Sequence, residues 1–151
     1  MDFTKTQFVD HLIVLQQQNK EELNRHFRDL QEALQQEQKS TAGDKHDTGR
    51  AMIHLEQEKM SRQLNELKKT IQQLHQLKQN QSTPEIIGFG SLIQTADHYI
   101  LLGIGLGKVI FEKHTILCVS MDAPLAQQVL GKSVRETFML AGKSTAILSV
   151  L

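Results

Sequence analysis

Apolar positions recur through the first eighty residues at alternating steps of three and four. Leu23, Phe27, Leu30 and Leu34 form one such series, and Met60, Leu64, Leu67, Ile71 and Leu74 form another. Each series makes a narrow apolar stripe along a helix, and two such stripes seal against each other as a coiled coil. Between them lies the polar junction "STAGDKHDTG", which holds the only two glycines of this half, Gly43 and Gly49. A junction this short makes the two helices antiparallel. The second helix is expected over roughly residues 48–80, about 50 Å long at 1.5 Å per residue. A hairpin of that length carries its turn, near residues 40–48, well away from any body built by the remaining residues.

The pattern changes near residue 81. "NQSTPE" at 80–85 holds the linker, residues 81–85, because Pro84 pushes Thr83 out of helical geometry. Beyond it, "GSLIQTA", "HYILLGIG", "TILCVS", "RETFML" and "STAILSV" alternate or run apolar and predict short strands. "DAPLAQQVLG" predicts one short helix. Asp122 or a neighbour is expected to cap it, Pro124 falls in its first turn, and Gly131 supplies a left-handed stop. The predicted class is α+β in two parts: an N-terminal antiparallel coiled-coil hairpin over residues 1–80, and a small antiparallel sheet with one helix over residues 86–151. About 66 residues make only a marginal core by themselves.

Composition narrows the functional classes. Among 151 residues, Lys plus Arg and Asp plus Glu are 17 each, so the formal net charge is zero. Gross charge therefore gives no hold on nucleic acid, which normally needs a basic excess. The single cysteine, Cys118, can form no intrachain disulfide and suits a reducing compartment. "MDFTKTQFVDHLIVL" is interrupted by Asp10 and His11 and is unlike a signal peptide. "YILLGIGLGKVIF" is too short to span a bilayer and contains Lys108. A soluble, cytoplasmic, monomeric protein without membrane contact is the expectation.

The junction carries the most distinctive chemistry, two acids three apart, Asp44 and Asp47. One reading is helix capping, with Asp44 as N-cap and acids facing the positive end of the second helix. The other is a half-site for a hard cation, since Mg²⁺ takes one or two carboxylates and completes its octahedron with water and phosphate oxygens. Two acids on a turn cannot hold the ion tightly unaided, but they can complete a site that a partner supplies. His46, between them, is a poor Mg²⁺ ligand and has no further Zn²⁺ ligands beside it in sequence. His114 and Cys118 lie on one predicted strand about 13 Å apart at 3.3 Å per residue, which argues against a thiol dyad and for Cys118 as core. "GIGLG" at 103–107 matches no phosphate-binding loop and reads as a turn or bulge.

These words, in this order, resemble the bacterial Gre-type transcript cleavage factors, which join an N-terminal antiparallel coiled coil to an FKBP-like C-terminal domain. "GDKHDTGRA" is similar to the family's tip, G-D-L-S-E-N-A-E-Y, with Asp44 on its acid and Asp47 on its glutamate. "GFGSLI" and "YILLG" look like the family's first two C-terminal strands, and "STAILSVL" looks like its last. "VSMDAPLAQQVLGKSV" is similar to S-V-x-S-P-L-A-R-A-L-L-G-K-x-V and is the most specific match. The resemblance covers nearly the whole chain. It implies docking on the rim of the secondary channel of bacterial RNA polymerase through Asp122, Ala123 and Pro124. It also implies a tip that brings Asp44 and Asp47 to the catalytic centre. There they would share a Mg²⁺ with the polymerase, none being held stably by the factor alone, and the polymerase would cut the 3′ end of a backtracked RNA. The chain would then be an accessory factor and not an enzyme. At the tip, Asp47 stands for glutamate, Thr48, Gly49 and Arg50 stand for Asn-Ala-Glu, and Lys45 and Arg50 add positive charge. Ala123 stands where serine is frequent. Two alternatives stay open: a channel-binding regulator that does not promote cleavage, and a coiled-coil interaction protein whose tip acids only cap a helix. A stand-alone metal enzyme ranks below them, for want of a third metal ligand or a substrate pocket.

Overall fold

The computed structural model describes residues 2–38, 43–80 and 85–151, with the backbone alone for 37, 38 and 43–47. The protein is α+β. Two long helices, α1 (Lys5–Gln38) and α2 (Gly43–Gln79), precede a set of short strands. These are β1 (Leu92–Gln94), β2 (Tyr99–Leu102), β3 (Gly107–Phe111) and β4 (His114–Val119), then the helix α3 (Pro124–Val129), then β5 (Thr137–Leu140), β6 (Lys143–Ala146) and β7 (Ser149–Val150). Packing divides the chain elsewhere than composition does. Residues 1–13 and 73–151 form one compact unit, and residues 14–72 form the other.

The unit of residues 14–72 is the middle of the helical pair. Leu23 and Leu30 share a groove with Met60 and Leu67, so rising numbers on α1 meet falling numbers on α2 and the helices are antiparallel. The predicted stripes face each other. Leu23, Phe27, Leu30 and Leu34 are half-buried, as are Leu64, Leu67 and Ile71, while Met60 is buried. Two helices alone cannot enclose a seam, and their stripes therefore keep one side towards solvent.

In the other unit a five-stranded sheet runs in the order β3-β4-β2-β1-β7, and β5 and β6 form a separate hairpin. The sheet is antiparallel except for one pair: β2 runs parallel to β4, with Tyr99 opposite Ile116 and Leu102 opposite Val119. This departs from the expected all-antiparallel sheet, and β3 is the reason. The segment 103–106 carries the chain outward, and β3 then turns back through Glu112 and Lys113 to pair with β4. That places β4 between β3 and β2, in the direction of β2. "GKVIF", not among the predicted strands, is thus an edge strand, and the glycine run before it is the turn that makes room for it. "STAILSV" is two strands, because Ile147 pairs with Glu136 while Leu148 donates to Gln94 in the larger sheet.

Both faces of the sheet are covered, which explains why every residue of β2 is buried. On one face Ile93, Ile100 and Leu102 pack against Ala126 and Val129 of α3 and Phe138 of the β5–β6 hairpin. On the other, Leu92, Leu101, Ile116 and Cys118 pack against Phe8, Leu12, Leu74 and Leu77 from the ends of α1 and α2. The marginal core expected of the C-terminal segment is completed by helical residues far away in sequence. Phe8, Leu12, Leu74 and Leu77 are wholly buried, and each contributes roughly 1.5–3 kcal/mol relative to exposure.

The start of α1 is fixed by a capping box that "FTKTQF" spells out. The Gln7 backbone N–H donates to Thr4 Oγ1 at 3.1 Å, and the Thr4 N–H donates to Gln7 Oε1 at 2.8 Å. Phe3, just before the cap, packs edge-on against Phe8 with ring centroids 6.2 Å apart, which makes the accompanying hydrophobic staple. The Lys5 ammonium donates to the carbonyls of Asn80 and Gly90, at 3.2 and 3.1 Å, and ties the start of α1 to the end of α2 and the approach to β1. Burial lowers the Lys5 pKa from its ordinary value. Lys78 and Asp10 add an ion pair at 2.7 Å between the two helices.

Candidate functional site

α2 begins at Gly43, so Asp44 and Asp47 occupy its first turns, at a spacing that puts two positions on the same side of a helix. Their side chains, with those of Lys45 and His46, lie outside the described residues. With Gly43 already helical, Asp44 lies inside the first turn and is not the N-cap expected of it, while the cation reading needs the side chains and falls outside the described residues. As hard oxygen donors two carboxylates fit Mg²⁺, and fit it as part of a shared site.

Arg50 is described. It falls on the seam series Arg50, Ile53, Gln57, Met60, Leu64, and like Ile53 and Gln57 it is half-buried. Its Nε is buried without a hydrogen-bond partner among the described residues. Periodicity explains this position: the stripe that continues back from Met60 in steps of three and four reaches Arg50, where the apolar residues have run out.

The second candidate is the loop that starts α3. Asp122 and Pro124 are exposed and Ala123 is half-buried. The N-cap is Ala123, in extended conformation and without a side-chain hydrogen bond, with Pro124 following as the first helical residue. Asp122 therefore does not cap the helix. The Ala123 N–H donates to Ser120 O and closes the turn before the helix, and the Gln127 N–H makes the first intrahelical bond, to Ala123 O, each at 3.1 Å. Gln127 Nε2 also donates to Met121 O at 2.9 Å and braces the loop. The Asp122 carboxylate makes no hydrogen bond or ion pair among the described residues, so it is available to a partner. Gly131, with φ of 80°, ends the helix as expected. Asp44 and Asp47 belong to one compact unit, and the Asp122 loop to the other.

Cys118 is 2% exposed, and burial pushes its thiol up to about 12. A thiol held in that form is a poor nucleophile. His114, on the same strand, packs against the rings of Tyr99 and Phe3, with centroids 5.1 and 5.5 Å away, and lies 3.7 Å from the Asp2 carboxylate. The fold adds Phe3 and Phe8 to Tyr99 and Phe111 in one ring cluster, and the capping-box residues "FTKTQF" were the signal for it.

No protein-family model matches this chain, and no curated protein matches its sequence.

Proposed function

We propose that the protein is a Gre-type factor of bacterial RNA polymerase: a secondary-channel binder whose α+β unit is FKBP-like and whose helical hairpin presents Asp44 and Asp47 to the polymerase active centre. One observation carries the reading. An antiparallel pair of long helices, with an acid pair in the first turns of α2, precedes a small sheet whose α3 starts from an exposed Asp122-Ala123-Pro124 loop. A spacer or capping role explains the acids but not a braced loop, with Asp122 and Pro124 exposed, that resembles the family's docking words. In this reading Asp122, Ala123 and Pro124 contact the polymerase rim. Asp44 and Asp47 supply carboxylate oxygens to a Mg²⁺ shared with the polymerase. The shared ion would help activate water for phosphodiester hydrolysis at the polymerase's own centre. The chain binds and positions; the bond is cut by its partner, at the 3′ end of the backtracked RNA.

The test is RNA cleavage by backtracked elongation complexes at varied Mg²⁺. The wild type should stimulate cleavage, and Asp44→Asn and Asp47→Asn should each abolish the stimulation while still binding polymerase. Asparagine keeps the shape and the capping ability but not the charge that a divalent ion needs. Asp122→Lys should weaken polymerase binding with the melting temperature nearly unchanged. Full cleavage by both Asn variants would refute the metal role. A wild type that binds but never cleaves, even at high Mg²⁺, would make the protein a non-cleaving channel regulator.

A further inference from the structure

One edge of the five-stranded sheet is β3, and β3 carries groups that the proposed function does not use. The turn after it runs through Glu112 and Lys113, both at positive φ, which makes Phe111 and His114 the hydrogen-bonded pair that closes the hairpin. Bonded and unbonded pairs alternate from there along the ladder. Gly107, Val109 and Phe111 therefore give their backbone groups to β4, while Lys108 and Ile110 turn theirs away from the sheet. The Ile110 side chain is 72% exposed, more than any other large apolar side chain among the described residues. Edges are ordinarily blunted by a proline, a bulge or several charges. The register of β3 with β4 runs unbroken from Gly107 to Phe111, and Lys108 is its single charge. At Gly107 a Cβ would meet nothing within 4 Å, so a gap lies open at one end of the edge.

We propose that β3 pairs antiparallel with β3 of a second copy of the chain, about a two-fold axis through Val109, so that two sheets join edge to edge. Two requirements reach that axis independently. The backbone needs its outward groups to meet, which sets Lys108 of each copy opposite Ile110 of the other and makes about four hydrogen bonds. The side chains need the half-buried Phe111 ring to cover the gap at Gly107, an aromatic-over-glycine pairing that mends edge strands. Positions 108 and 110 share their midpoint with positions 107 and 111. At that midpoint Val109 meets its own counterpart in a non-hydrogen-bonded pair, where side chains on neighbouring strands come closest. On the opposite face Ile110 lies along the methylenes of the other copy's Lys108, whose ammonium stays in water. A second copy fits this edge because β3 carries both the ring and the gap, at positions that one rotation exchanges. The pairing is about 17 Å long, which puts it at the small end of interfaces and makes the dimer dependent on concentration.

Sedimentation or light scattering of the full chain should show the mass rising from one copy towards two by about 1 mM. Amide exchange at Lys108 and Ile110 should slow as the mass rises. Two substitutions read the register, and both replace a side chain that lies mostly in solvent, so circular dichroism and Tm should stay unchanged. Ile110→Lys sets like charges directly across the axis at each Lys108 and should weaken association at least about fivefold. Ile110→Glu removes the same apolar side chain but sets an acid against each Lys108. It should associate at least about fivefold more tightly than Ile110→Lys, with the difference shrinking in high salt. Equal association of the two variants at low salt would overturn the register and the proposal with it. So would a single-copy mass at every concentration. If the two amides are then protected throughout, the chain itself covers the edge; if they become protected only when RNA polymerase is added, the edge belongs to the polymerase.

Discussion

At the residue scale, burial decides what Cys118 does. Its partners across the ladder are Leu101 and Gly107, and its thiol titrates near 12 in place of 9.0. In the unfolded chain the thiol loses its proton at its ordinary value, so below about pH 9 the folded state carries no penalty. Between about pH 9 and 12 the unfolded state holds fewer protons than the folded one. Stability then falls as pH rises, by up to about 1.4 kcal/mol per unit for a single group. Cys118→Ala should flatten this part of the stability curve relative to wild type. Equilibrium denaturation at pH 7, 9.5 and 10.5 measures it, and equal slopes in the two proteins would refute the assignment. The core reading of Cys118 was legible from Leu117 and Val119 on either side of it. The seam position of Arg50 was not, because an arginine interrupts the apolar series that would have announced it.

At the element scale, Gly103 sets how closely the end of α2 approaches the sheet. Its φ is +127°, and a Cβ there would meet Leu77 Cδ2 and Phe89 Cε2, each at 2.8 Å. Its N–H donates to Val119 O at 2.9 Å, at the end of the parallel β2–β4 pair. Gly103→Ala combines a forbidden backbone angle with a collision in the core, and should cost roughly 2–3 kcal/mol. Urea denaturation checks it, and a loss under 0.5 kcal/mol would show that the contact yields easily. The helices, their antiparallel pairing, α3 with its glycine stop and most strands were legible as periodicity and punctuation. β3 was missed because "GIGLGKVIF" shows a glycine turn and an apolar run without a boundary between them. The single parallel pair was out of reach for a related reason: direction follows from which strand is the edge, and no local pattern encodes that.

At the scale of the whole molecule, the two units differ in how much they bury. The unit with the sheet has two apolar clusters, one on each face. Among the described residues of 14–72, Met60 is the one buried hydrophobic side chain. Amide hydrogen exchange should therefore be faster through residues 20–35 and 50–68 than through β2, β4 and the first two turns of α1. Equal protection in both units would show that the helical middle is held by more than its half-open seam. The composition break at residue 81 gave no hint that residues 1–13 complete the sheet's core. Their role depends on contacts with strands some ninety positions later, while the break records only where glycine, proline and β-branched residues begin.

That long-range closure has a consequence for the order of synthesis. Phe3, Phe8 and Leu12 leave the ribosome well before the strands they cover, the first of which is made some eighty to ninety residues later. At 5–20 residues per second that interval lasts roughly 4–16 s. A helix starting from a capping box can form in microseconds, and its partner α2 is complete once residue 79 has emerged. For the rest of the interval the nascent hairpin holds an aromatic face with nothing to cover it, a natural target for chaperones that recognise apolar surface on unfinished chains.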